Sequence, residues 1–350
     1  LSGGVDSSVV SAVCAAELKK QGKKLTTFSF DFIDNDKYFK ANSFQPSQDR
    51  PYVDKMVSFL DSDHHYLECD NKMQADLLYR SVDAHDLPCM ADIDSSLQYF
   101  CEEVSHSHKV VLTGECADEV FGGYPWFHRE EMLNSGTFPW TPSLTPRKVL
   151  LKDDLVKSLH MDEYVKKIYD RSVSEINVLP SENEIETNRR RIGYLNIRFF
   201  MQTLLNRMDR TSMFSGLEAR VPFADRKLVD YVFNIPWEMK AKDGLVKNIL
   251  RQASKGLLPD EILFRRKSPY PKTYNPYYEN LLAKRLKEVL SDSASPLHSL
   301  LDLKQVTQFL ENPKDYGSPW YGQLMAGPQM IAYLLQIEYF LRKYNVSIRI

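Results

Sequence analysis

The spacing of apolar residues changes period several times in the first third of the chain. Behind a polar, glycine-bearing opening, Val9, Val10, Ala12, Val13, Ala15 and Ala16 predict a helix over residues 7–21, closed by Gly22 among Lys19, Lys20, Lys23 and Lys24. Residues 25–32, rich in Thr and Phe, predict a strand. A helix over 49–60, a strand over 65–69, helices over 73–84 and 95–104, and a buried strand over 109–112 follow. Strands alternating with helices predict an α/β part with a parallel sheet and helices on both faces.

Beyond Pro139, Pro142 and Pro146 the pattern turns helical. Helices are predicted over 149–159, 164–177, 184–214, 226–233, 247–253, 276–290, 303–310 and 323–344, with almost no strand signal. The expected organisation is an α/β part over 1–145 and a mainly helical part over 146–350. Val221 before Pro222 breaks the helical pattern at 217–223, where Glu218 and Arg220 are read as a structural pair in preference to a substrate contact.

With 43% apolar and 26% charged residues, the 350-residue chain can bury a sizeable core. A formal net charge of −2 argues against a general nucleic-acid or anionic-membrane surface, and no apolar run reaches the ~18 residues of a membrane span. Small-molecule chemistry is the class that remains. Cys14, Cys69, Cys89, Cys101 and Cys116 are scattered without a Cys-x-x-Cys pair, which suggests neither a zinc site nor disulfides and points to a reduced, cytoplasmic setting. Because the sequence opens inside a motif without Met, a strand is expected before Leu1 and the chain is expected to be a fragment.

Two loops carry the candidate chemistry. In LSGGVDSS, residues 1–8, adjacent glycines permit a tight turn and a close approach, serines offer hydroxyls, and a helix N-terminus supplies partial positive charge. The alternative is an ordinary helix capped by Asp6 or Ser7. Lacking the Gly-Lys-Ser/Thr ending, the loop is not a Walker A motif, and its Asp6 would repel polyphosphate unless Mg²⁺ stood between them. In TGECADEVFGGY, residues 113–124, Glu115, Asp118 and Glu119 crowd together, as suits a metal or cation, although acids also favour any helix start. Tandem His64 and His65 read as an edge feature and Cys116 as a small packing residue.

SGGVDSS resembles the PP-loop of ATP pyrophosphatases, which cleave ATP between the α and β phosphates. Such a site needs cations at the departing phosphates, and Lys267 in FRRK, with Lys247, can supply them. Together with LLNRMDRTSMFSGLEARVPFADRKLVD, KNILRQA and FRRKSPY, the two loops resemble the synthetase domain of the asparagine synthase family across nearly the whole chain. The resemblance implies a PP-loop fold with Leu1, Ser2, Gly3, Gly4, Asp6, Ser7 and Ser8 around ATP, Phe30 near adenine, and Thr113, Gly114, Glu115 and Asp118 in the second loop. It further implies Mg²⁺ shared by Asp6 and Asp118, and Lys267 facing the leaving pyrophosphate. Glu115 is the candidate for orienting or deprotonating the amine nucleophile.

The implied reaction is ATP-dependent amidation of aspartate through an acyl-adenylate, with ammonia supplied by a glutaminase domain not contained in this sequence. A homodimer is compatible with the sequence; a nucleic-acid or membrane partner is not expected. Two departures from the family pattern stand out: Cys116 replaces a glycine, and the Thr/Arg-bearing segment upstream is replaced by LPCMADIDSS over 87–96. Alternatives are a β-lactam synthetase or peptide-cyclase relative, and a silent nucleotide-binding module.

Overall fold

The computed structural model describes residues 1–41, 45–313 and 327–349. Its first half alternates helices and strands: α1 (Val5–Lys20), β1 (Thr26–Phe32), α2 (Arg50–Leu60), β2 (Asp63–Cys69), α3 (Asn71–His85), α4 (Asp92–Ser105), β3 (Val110–Leu112) and the short α5 (Ala117–Phe121). Apart from α5, which lies inside the second glycine-bearing loop, these elements fall within a few residues of the sequence expectation. Local chemistry sets several ends. The carboxylate of Asp70 accepts from the N–H groups of Lys72 and Met73 and starts α3, and α1 carries Asp6 in its first turn and Lys19 and Lys20 in its last, complementing its dipole.

β1 and β2 pair in parallel from Thr26 opposite Asp63 to Phe32 opposite Cys69. Leu1 N donates to Phe28 O at 2.6 Å, so the chain runs past β1 on its way into the first glycine loop. The second half is mainly helical, as its pattern implies, with one unforeseen element. Residues 217–223 do more than break a helix: β4 (Glu218–Arg220) pairs in parallel with β3, and Thr113 N–H extends the ladder to Arg220 O at 3.0 Å. The expected parallel pairing is therefore present, and among the described residues it forms two separate two-stranded pairs in a mixed α/β molecule.

The helix expected over 184–214 is uninterrupted but not uniform. α6 (Glu184–Leu195) passes through a π-helical stretch at Asn196–Met201 into α7 (Gln202–Phe214). Buried Asn196 uses that widening to reach the second loop, its amide donating to Glu119 O at 3.3 Å. Farther on lie α8 (Asn248–Ala253), α9 (Pro276–Ser291) and α10 (Gly327–Lys343); the first four residues of the helix expected at 323–344 lie outside the described residues. α3, α9 and α10 enclose an apolar core in which Leu78, Tyr278, Leu282, Leu286, Ile331 and Leu335 are almost wholly buried. Among the described residues no helix is long and apolar enough to cross a membrane.

Candidate functional site

The two glycine loops meet backbone to backbone. A β-carbon on Gly114 would stand 2.5 Å from Ser7 N, and one on Gly3, whose φ is +67°, would stand 2.5 Å from the β-carbon of Tyr52. Neither position has room for a side chain. Within the first loop, Ser7 Oγ lies 3.1 Å from both Ser2 N and Ser2 Oγ, which closes the turn ahead of α1. Cys116 adopts a left-handed conformation, φ +70°, consistent with a position where glycine would be at ease, and packs as a buried side chain.

The loops open onto a cleft of 1090 Å³. Its walls include Leu1, Ser2, Gly4, Asp6, Ser7, Phe30, Thr113, Gly114, Glu115, Asp118 and Lys267 from the sequence-derived set. Gly3, Ser8 and Lys247 do not reach the cleft wall: Gly3 packs on Tyr52, while Ser8 and Lys247 are buried behind it. Phe30 stands 6.2 Å from the Tyr270 ring at an interplanar angle of 23°, giving the cleft an aromatic wall.

Two acids and two lysines form the electrostatic centre. Lys247 Nζ lies 2.7 Å from Asp6 Oδ2 and 2.7 Å from Asp118 Oδ1, while Lys267 donates to Asp118 Oδ2 and sits 4.2 Å from the centre of the Tyr124 ring. Burial resists ionisation of Asp118, yet Lys247 and Lys267 hold its carboxyl well below the usual range. For Asp6 burial prevails, and with Asp118 beside it raises the carboxyl against the pull of Lys247. The same acids outweigh desolvation at Lys247 and keep its ammonium charged. Asp6 Oδ1 is buried without a hydrogen-bond partner. The carboxylates of Asp6 and Asp118 are hard oxygen donors that could hold Mg²⁺.

Buried arginines fix the strands of chain that deliver these groups. Arg251 of α8 donates to the carbonyls of Val246 at 2.8 Å, Leu263, and Arg265 at 3.2 Å, tying the Lys247 turn to the Lys267 segment. Arg265 donates to Ser2 O at 2.9 Å and to Asp49 Oδ1 at 2.5 Å, clamping that segment onto the first loop. Arg207 of α7 meets Glu115 at 2.7 Å and lies 3.8 Å from Asp94. Burial raises the Glu115 carboxyl while Arg207 opposes that shift. Glu119, pushed up to about 7 by burial and by Asp118, accepts a 2.5 Å hydrogen bond from Tyr124.

Sequence reasoning did not single out Arg207, Arg251, Arg265, Tyr124 or Tyr270 as site residues. All five stand inside motifs quoted for the resemblance, and that position was the available signal. Arg220, in contrast, pairs with Glu218 at 2.7 Å on the surface, in line with the structural reading of that pair.

The family model for asparagine synthase matches residues 1–342. The chain is 48% identical over 350 residues to the glutamine-hydrolyzing asparagine synthetase 3 of Bacillus subtilis (strain 168), covering 99% of this chain and 57% of the relative. It is 26% identical over 277 residues to the glutamine-hydrolyzing asparagine synthetase of Rattus norvegicus, covering 77% of this chain and 38% of the relative. A 27% identical match to amidase chyE of Penicillium rubens covers 77% of this chain and 48% of that protein. The chain thus spans about half the length of the curated relatives it matches. Two glycine loops facing one acid–lysine cluster, and a family match running through almost every element that builds them, lead to one assignment: the chain belongs to the asparagine synthase family.

Proposed function

We propose that the cleft joins ATP to the side-chain carboxylate of aspartate and hands the resulting acyl-adenylate to ammonia, giving asparagine, AMP and pyrophosphate. The observation that carries this reading is the placement of Lys267 and Lys247 on Asp118 and Asp6 where the two glycine loops meet. An aspartate carboxylate oxygen attacks the α-phosphorus, and the bond from that phosphorus to the bridging oxygen breaks. The bridging oxygen leaves with pyrophosphate, against which Lys267 places its ammonium. Ammonia then attacks the acyl carbon, AMP leaves, and the surplus proton passes to Glu115, whose carboxylate is made more basic than usual by burial.

Asp6, with its unpaired buried oxygen, and Asp118 fit a hard divalent cation. Mg²⁺ held by these two residues would neutralise polyphosphate charge. Leu1, Ser2, Gly4, Ser7, Thr113 and Gly114 line the nucleotide's side of the cleft, Gly3 and Ser8 shape the loop from behind, and Phe30 offers a face for adenine. Positioning and charge stabilisation suffice, without a covalent enzyme intermediate. Ammonia would come from a glutaminase domain in a longer protein. The two parallel strand pairs are read as parts of a PP-loop layer with helices on both faces, a reading supported by Leu1 running beside β1.

AMP, pyrophosphate and asparagine release from ATP–Mg²⁺ and ammonium should depend on aspartate within a panel of carboxylic acids. Lys267→Ala should lower turnover by roughly 10²–10³-fold with the fold intact. AMP formed with another acid and none with aspartate would reject asparagine synthesis while keeping adenylation; near-normal turnover in Lys267→Ala would reject the role given to that lysine.

A further inference from the structure

A second polar cluster lies outside the cleft, at the corner between α3 and α4. Among the described residues, His85, Cys89 and Asp94 form a group whose candidate donor atoms all fall within 4.8 Å of one another. His85 and Asp94 are buried, at 9% and 1% exposure. The hydrogen bonds fix what the imidazole presents. His85 Nδ1 lies 2.8 Å from Ser81 O, and since a carbonyl can only accept, Nδ1 carries the hydrogen in the neutral ring. Nε2 then offers a lone pair, and it is buried with no hydrogen-bond partner.

What Nε2 faces is another acceptor. Asp94 Oδ2 stands 4.0 Å away, accepting from Met90 N–H at 2.5 Å, and Asp94 Oδ1 has no hydrogen-bond partner. A lone pair directed at a carboxylate across that gap is unfavourable unless a proton or a metal cation stands between them. Cys89 Sγ closes the third side, with Gln336 of α10 packed beside it, Nε2 to Sγ at 3.2 Å.

We propose that His85 Nε2, Cys89 Sγ and the Asp94 carboxylate form a binding site for a borderline-soft divalent metal ion of the zinc class. Nitrogen, sulfur and oxygen donors select zinc over magnesium, whereas the all-oxygen pair Asp6 and Asp118 suits a hard ion such as magnesium. Tetrahedral coordination requires donors about 3.3–3.8 Å apart, so the present spread closes by about 1 Å, and the fourth position is left for water. Ser81 O already supplies the outer hydrogen bond that orients a ligating histidine. Binding converts the Cys89 thiol to thiolate and releases its proton to solvent, so affinity rises with pH. The ion would pin the end of α3 to the start of α4, and through Asp94 it lies one contact from Arg207 and two from Glu115.

The probe is Co²⁺ added to the chelator-treated full chain under reducing conditions. The expected result is one equivalent bound, with visible d–d bands and a near-ultraviolet thiolate-to-metal charge-transfer band, displaced by Zn²⁺ and untouched by excess Mg²⁺. Cys89→Ala should abolish the charge-transfer band, His85→Ala should weaken binding at least tenfold, and Cys14→Ala should change neither. If Cys89→Ala fails to fold, Cys89→Ser keeps the shape of the site and should lose the same band. Absence of the band in the folded wild-type chain would overturn the proposal, as would a band that survives the substitutions at Cys89. A protonated His85 paired with Asp94 would give no stoichiometric cobalt binding at all.

Discussion

Around buried Lys247 the chain gathers two half-buried carboxylates in contact with its ammonium, with Lys267 at the rim. Between α3, α9 and α10 it buries leucines, isoleucines and a tyrosine instead. The apolar core gains free energy for every methylene removed from water, and its neighbours care chiefly about volume. The ionic cluster has to offset the desolvation of each charge, so it is a weak source of net stability and is sensitive to the loss of any one member. Charges kept there under that cost point to a ligand that uses them. The core keeps the molecule folded, and the cluster is where the proposed function places its ligand.

The sharpest way to break this contrast is to remove the central cation. Lys247→Met leaves Asp6 and Asp118 with Lys267 alone, and should cost about 3–5 kcal/mol in a denaturant titration. Mg²⁺ should restore part of that loss, since a second cation can then occupy the space between the carboxylates. An unchanged midpoint would mean that the lysine is not balancing those charges. In the apolar core, Leu282→Ala should cost about 2–5 kcal/mol by opening a cavity, while turnover per folded molecule stays near that of the parent chain. A selective loss of turnover there would erase the distinction between the two regions.

The smallest effect lies in the β1–β2 pair. The neutral His64 ring bonds Thr27 Oγ1 at 2.7 Å and Ser29 Oγ at 2.9 Å, and burial pushes its pKa down from 6.5 to about 4. Between those two values the unfolded chain binds more protons than the folded one, so stability should decline as pH falls from 6.5 towards about 4. His64→Gln should flatten the upper part of that decline in melting temperature; an unaltered slope would place its origin elsewhere.

The glycine loops were legible because their chemistry is local: Gly3, Gly4 and Asp6 stand within a few residues, and their roles follow from turn geometry and charge. Helices such as Arg226–Phe233 were legible from period alone. β4 was not, because three residues carry too little periodicity and their pairing with β3 depends on a segment about a hundred positions away. Arg207, Arg251 and Arg265 escaped for a related reason. An arginine in a helix or a charge run reads as solvated, and only the fold shows it turned inward onto Glu115 or onto backbone carbonyls. The sequence also marked Lys247 as a cation near phosphate, but its position behind the acids, at 2% exposure, required coordinates.

Exchange of labelled pyrophosphate into ATP, measured with aspartate and without any nitrogen donor, isolates the step that the cleft is proposed to perform. It needs neither ammonia nor a glutaminase domain. The account expects exchange that requires both Mg²⁺ and aspartate and is lost in Lys267→Ala. Failure of the folded chain to exchange with aspartate or any other carboxylic acid would contradict an adenylating site.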